Sequence, residues 1–294
     1  NWFFKTGVYS ILLLWMILQP FYSIGQSRTF TSNGTFLVPA GVTSVNVQCW
    51  GAGGGGSTTS IVGGGGGGGA YASGSVAVIP GSTYNIVIGS RGASGTNGGN
   101  TSFNNTSIVA AGGTSAGNNA AAAGVGGSVA ASVGTVRYAG GNGAAGSGSV
   151  AGGGGGGAGS TGTGNNANTY IRGAAKTLNG GAGGNGRRQT RGNGSNGANY
   201  GGGGGGAYGN GTSANGGLGG RGLAIISWTC PVYSLTSVTA PLTVCRGSAA
   251  RITLNASAAN LPVGTYTVTY NLSAPNTANN RTVTMTVSTP GSGS

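Results

Sequence analysis

The side chains able to do chemistry in this sequence are few. Among 294 residues there are three Cys and 13 Lys and Arg together, but no Asp, no Glu and no His. An average chain of this length would carry on the order of 30 acids. General acid–base catalysis needs a His, a carboxylate or a tuned Lys. Triads need a base and a group to orient it, and paired-carboxylate glycosidases are excluded outright. Zinc sites want Cys, His or carboxylates, and calcium sites want carboxylate oxygens. The residue inventory therefore predicts a protein that is not an enzyme and that holds no cofactor and no metal.

What remains is basic residues and thiols. Arg187-Arg188-Gln189-Thr190-Arg191 sits within glycine-rich sequence, with Tyr170, Tyr200 and Tyr208 near it in the chain. Arg-Gly segments with aromatics suit single-stranded RNA in an intracellular protein. The same residues also suit a solvated loop, or contact with anionic surfaces such as lipopolysaccharide phosphates, acidic polysaccharide or extracellular DNA. The formal charge of +13 has no internal carboxylate to offset it, so the field is positive nearly everywhere. Arg187, Arg188 and Arg191 are the candidate anion contacts, with no specific nucleic acid as partner. Cys230 and Cys245 are a disulfide candidate. In an oxidising exterior they would close a loop worth about 3 kcal/mol; the alternative is two unpaired thiols. Cys49 alternates with Val45 and Val47 and reads as a small buried hydrophobe.

The elements that must position these residues fall into three regions after an N-terminal segment. Residues 1–25 read as a secretory signal peptide, with Lys5 as the positive n-region, 8–18 as the apolar h-region and Pro20 as its break. The apolar stretch is short of the ~20 residues a membrane span needs, so no span is expected after cleavage. The chain begins at Asn1 and stops just after a strand-like run, and so reads as part of a longer reading frame. Residues 27–50 read as strands, with 29–32 and 35–39 flanking Asn33-Gly34, a hairpin signal. Val45, Val47 and Cys49 then alternate with polar neighbours at period 2.

Residues 51–222 form a glycine-rich body. Oligoglycine runs occupy 53–56, 63–69, 152–157 and 201–206, with strand-like stretches at 70–79, 84–88, 107–111 and 223–228. The 70 Gly and 8 Pro, about a quarter of the chain, are typical of low-complexity sequence. Asn-Gly recurs at Asn97, Asn142, Asn179, Asn185, Asn193, Asn196, Asn210 and Asn215, which predicts frequent turns. The runs admit two readings. One is flexible linker. The other is polyproline-II-type helices of glycine, packed side by side so that neighbouring backbones satisfy one another. The alternation of runs with strands that need partners favours packed helices. Residues 230–294 change character, with β-type segments at 242–244, 251–255, 265–271 and 281–288. Tyr266, Val268 and Tyr270 share one face there, as do Val283, Met285 and Val287.

Thr29-Phe30-Thr31, Gly34 to Val42 (GTFLVPAGV) and Val45 to Gly56 (VNVQCWGAGGGG) resemble the opening of the bacterial secreted glycine-rich domain. The match continues through Ala70-Tyr71, Pro80-Gly81, 86–89, 99–103 and 223–228. Such domains are similar to the glycine-rich extracellular region of the anaplastic lymphoma kinase receptor and to phage tail-tip adhesins. The resemblance implies a β-sandwich-like frame carrying bundled glycine helices used for binding. Val244-Cys245-Arg246-Gly247-Ser248 and 261–268 resemble Ig-like repeats of large bacterial surface adhesins. The fold expected is all-β: a glycine-rich β-sandwich with bundled polyglycine-II helices over 26–229, then a truncated Ig-like domain over 230–294. The function expected is a non-enzymatic secreted or cell-surface protein with an adhesive or structural role toward surface glycans or anionic polymers. A receptor-type ligand-binding module and a carbohydrate- or ice-binding module are the alternatives.

Overall fold

The computed structural model describes residues 25–176, 178–230, 235–239, 253–256, 263–272, 278–287 and 292–293. The expected signal peptide, the segment at 242–244 and Cys245 lie outside the described residues. Two units separate, Gln26–Trp228 and the part from Thr229 onward.

The first unit is built on two antiparallel sheets. Strands β1 (Gly25–Phe30), β3 (Ser44–Trp50), β4 (Tyr71–Ala77), β8 (Val136–Tyr138) and β9 (Leu223–Thr229) form one, in the order β1-β9-β3-β4-β8. Strands β2 (Gly34–Leu37), β5 (Thr83–Val87), β6 (Thr101–Phe103) and β7 (Ile108–Ala110) form the other, in the order β2-β5-β6-β7. The two enclose one apolar core. Val45, Val47 and Cys49 enter it from β3, Ile226 from β9, Phe36 from β2, Ile86 from β5 and Phe103 from β6. Period-2 alternation put the valines and Cys49 on one face, and they are buried there. Cys49 lies between Ala72 and Ala224 on the flanking strands, so small neighbours make room for sulfur. Burying an aromatic such as Phe36 or Phe103 contributes about 1.5–3 kcal/mol.

Asn33-Gly34 does not make the expected hairpin. β1 and β2 lie in different sheets, and the chain crosses between layers at 31–33. Phe30 and Phe36 both reach the core from these two strands, and Asn33 Oδ1 accepts the Ile88 N–H at 2.8 Å rather than closing a local turn. Core burial on both sides of the dipeptide outweighs its turn preference.

The glycine runs are buried throughout, and their hydrogen bonds repeat every third residue. In run 63–70, Gly63, Gly66 and Gly69 donate to the carbonyls of Ala207, Gly204 and Gly201 at 2.7–2.8 Å. Gly65 and Gly68 donate to Ala144 and Gly141, and Gly67 and Ala70 to Thr114 and Ala111. The carbonyls of the same run take three other neighbours. Gly63, Gly66 and Gly69 accept from Gly152, Gly155 and Ala158; Gly64, Gly67 and Ala70 from Ser57, Gly54 and Gly51; Gly65 and Gly68 from Gly124 and Gly127. A β-strand shares its ladder with two neighbours, whereas this run is bonded to six. Runs 151–158 and 201–207 bond to several neighbours in the same way; these two and run 51–57 each bond to run 63–70, and the rest of their bonds go mostly to the surrounding segments. The interior is therefore backbone packed on backbone, with its buried N–H and C=O groups paired.

This lattice grows directly out of the first sheet. β3 runs into 51–57, run 63–70 runs into β4, and residues 214–222 run into β9. The Trp50–Tyr71 register continues as the bond from Gly51 N–H to Ala70 O, 2.8 Å. Trp50, Tyr71 and Leu223 cap the junction with Ala158, and Tyr138 and Tyr200 pack against them.

In the second unit, β12 (Gly264–Leu272) and β13 (Ala278–Val287) pair antiparallel. Tyr266 sits opposite Met285 and Val268 opposite Val283 in one continuous register. β10 (Leu235–Thr239), β11 (Thr253–Ala256) and β14 (Ser292–Gly293) form a second antiparallel sheet. The protein is all-β.

Candidate functional site

At the rim of the lattice a run has neighbours on one side only, and side chains take over the missing contacts. Asparagine does most of this. Asn97 Oδ1 accepts from Ser115 N–H, Asn100 from Gly112, Asn142 from Gly126, Asn185 from Arg172, Asn193 from Asn215 and Asn196 from Leu218, all at 2.8–3.0 Å. The carboxamide oxygen replaces the carbonyl of an absent neighbour. This corrects the reading of Asn-Gly as turns. Only Asn179 and Asn210 of the eight sit in turns, both with positive φ; the other six lie in rim runs. A three-residue step, Asn97 to Asn100 and Asn193 to Asn196, was the available signal.

Where rim runs 193–196 and 215–218 lie beside Ser94, they leave an open groove of about 520 Å³. Its chemistry is neutral and polar: Ser94, Asn193, Ser195, Asn196 and Asn215, with Arg187 as the one cation among its lining residues. Ser94 Oγ donates to Gly216 O, and Arg187 Nε donates to Asn193 O at 2.7 Å. With their oxygens held by the rim, Asn193 and Asn196 retain their amide donors for a ligand.

The three candidate arginines are all exposed but do not converge on one ligand. Arg187 lines the groove. Arg188 lies over the Tyr170 ring, 5.6 Å from its centroid. Arg191 Nη2 donates to Ser213 O at 2.8 Å. Main-chain carbonyls and a ring serve these guanidiniums where a carboxylate would serve them in another protein. Tyr208 is bridged to Gly192, beside the basic segment. Tyr200 lies at the other end of run 201–207, against the Trp50 cluster, and takes no part. Cys230 follows β9 and is half-buried; its expected partner Cys245 lies outside the described residues. Burial pushes the Cys49 thiol up to about 12, so it is a packing residue and not a nucleophile. Tyr71 is also raised by burial, partly offset by its hydrogen bond with Ser73.

The groove thus lies on the rim of a glycine lattice that extends a β-sandwich. Residues 29–229 match the family model described as Glycine-rich domain. The chain belongs to this family. The matched span coincides with the first unit, from β1 to the end of β9. No curated protein matches the chain significantly. The glycine-rich domain thus includes the sandwich, the lattice, the groove and all three candidate arginines.

Proposed function

We propose that this is a non-enzymatic, exported bacterial surface protein whose glycine-rich domain is an adhesive or structural module for surface glycans or anionic polymers. In this reading the glycine runs are polyglycine-II helices: six neighbours per run and partners recurring every third residue are what three residues per turn would give. Residues 1–25 are its signal peptide. Residues 230–294 are an Ig-like stalk repeat, with Cys230 and Cys245 as the disulfide pair. The observation that carries the reading is the Asn- and Ser-lined groove at the lattice rim. It offers several neutral donors and acceptors on a backbone whose hydrogen bonds already fix it, which suits saccharide hydroxyls and keeps ordering costs low.

The test is an array of neutral and acidic glycans and anionic polymers, probed with the full chain and with Ser195→Tyr, which fills the groove. Binding that falls at least tenfold with Ser195→Tyr is expected. No binding to any member of the array would overturn the adhesive role and leave a structural one.

A further inference from the structure

Arg91 and Arg221 are far apart in sequence, yet they line one cavity of about 280 Å³ where the sandwich meets the lattice. The crossover between β1 and β2 supplies Thr31, Ser32 and Asn33 to its wall, and the segment after β5 supplies Ser90. No hydrogen bond, ion pair or ring contact engages either guanidinium among the described residues. Arg28, Arg137, Arg187, Arg188 and Arg191 each have such a partner. Two unpartnered cations sharing a cavity repel each other, and with no Asp or Glu in the chain no side chain of the protein can neutralise them. The other polar groups of the wall are three hydroxyls and a carboxamide. The Asn33 oxygen is already bonded to Ile88 N–H, which leaves its NH₂ donors. The wall is a donor set with a double positive charge.

The backbone beneath is held on every side. Gly89 N–H donates to Thr101 Oγ1 at 3.0 Å. Gly222 N–H donates to Gly89 O at 3.0 Å, Gly99 N–H to Ser90 O at 2.9 Å and Tyr200 N–H to Arg221 O at 2.7 Å. The volume falls just below the usual range of ligand pockets, about 300–1,000 Å³, and so fits one charged group of a larger molecule.

We propose that this cavity is an oxyanion-binding site, in which Arg91 and Arg221 grip a carboxylate, sulfate or phosphate of an acidic saccharide and the hydroxyls and Asn33 complete the shell. Guanidinium forks match such groups bidentately. The inference rests on the surface-binding reading for what carries the oxyanion, and on the cavity alone for the oxyanion itself.

The experiment titrates the full chain with inorganic sulfate, inorganic phosphate, oligogalacturonate and a sulfated oligosaccharide at fixed ionic strength, following backbone amide shifts and calorimetric affinity. Shifts are expected at 31–33, 88–91 and 221. Arg91→Gln and Arg221→Gln should each weaken binding about tenfold, with Arg221→Lys intermediate, while the double variant R137Q/R172Q, whose arginines line neither this cavity nor the rim groove, binds as the parent does. Both arginines have exposed or half-exposed side chains, so thermal melting of the variants should match the parent. Preference among the four probes identifies the source of the anion. Unchanged affinity in Arg91→Gln and Arg221→Gln, or shifts spread evenly over the cationic surface, would overturn the site. Loss of sulfate binding in these variants, beside an array with no polymer binding, would sustain the site and remove the adhesive reading. Polymer binding indifferent to both variants would do the reverse.

Discussion

At the scale of single residues, the protein replaces charge with carboxamides and carbonyls. Asn196 shows the device. Its Oδ1 takes the Leu218 N–H at 2.8 Å, a donor that would otherwise face the rim unbonded. The bond is exposed, so water recovers part of its worth when it is lost, and Asn196→Ala should cost about 0.5–1.5 kcal/mol in denaturant unfolding. Asn196→Asp keeps the acceptor and adds a negative charge to a +13 chain, so it should match or exceed the parent in stability. If Asp were as damaging as Ala, the oxygen would not be the operative atom. From the sequence the many Asn-Gly pairs looked like turns because the dipeptide has two meanings: local turn geometry at Asn179 and Asn210, and a long-range acceptor at Asn193 or Asn196. Only the neighbouring run decides between them.

At the scale of elements, glycine is required by proximity. A Cβ built at Gly66 would fall against the carbonyls of Gly54 and Gly55, and one at Gly204 against Gly217. These are backbone atoms tied into the lattice, so they cannot rotate aside. Gly66→Ala should destabilise by about 3 kcal/mol or more, and Gly66→Val or Gly204→Val should not yield a folded domain. Gly34→Ala is the control, since its Cβ would meet only the Phe30 ring at an ordinary 3.4 Å. Melting temperatures read out the series; equal melting for Gly66→Ala and Gly34→Ala would mean that the runs are not packed. The strands 44–50, 71–77 and 83–87 were legible from alternation and turn residues because half-buried strands announce their faces. The short β6 and β8 were missed. Thr101-Ser102-Phe103 and Val136-Arg137-Tyr138 are three residues each, too few for a period, and exist only because a longer strand lies beside them.

At the scale of the whole molecule, the absence of Asp, Glu and His sets the response to pH. Acid unfolds proteins by protonating paired carboxylates or charging buried His, and this chain has neither group. The melting temperature should be nearly flat from about pH 3 to pH 8. The alkaline side differs. The folded Cys49 thiol is raised from 9.0 to about 12, so its contribution is fully present below pH 9 and is lost as pH rises toward 12. Tyr71, raised by burial, acts in the same direction. Stability should therefore fall above about pH 9, by up to about 1.4 kcal/mol per pH unit for each such group. Cys49→Ala should lower the plateau slightly but make this alkaline fall shallower. A cooperative transition between pH 3 and 5 in circular dichroism would contradict the argument.

Composition alone removed catalysis by carboxylate or imidazole from the expectations, because those groups are local facts that no fold can supply. Periodicity located the core face of β3, and the long glycine runs indicated backbone packing, because only glycine lets chains approach so closely. Tertiary structure decided what has no local signature. It placed Phe30 and Phe36 on opposite sheets across Asn33-Gly34. It dispersed Arg187, Arg188 and Arg191, which adjacency in sequence suggested would act together. It brought Arg91 and Arg221 to one cavity through the ends of two different runs. Charge clustering in a folded chain depends on which runs become neighbours in the lattice, and the hydrogen bonds that choose those neighbours are made by glycine backbones that are chemically alike along every run.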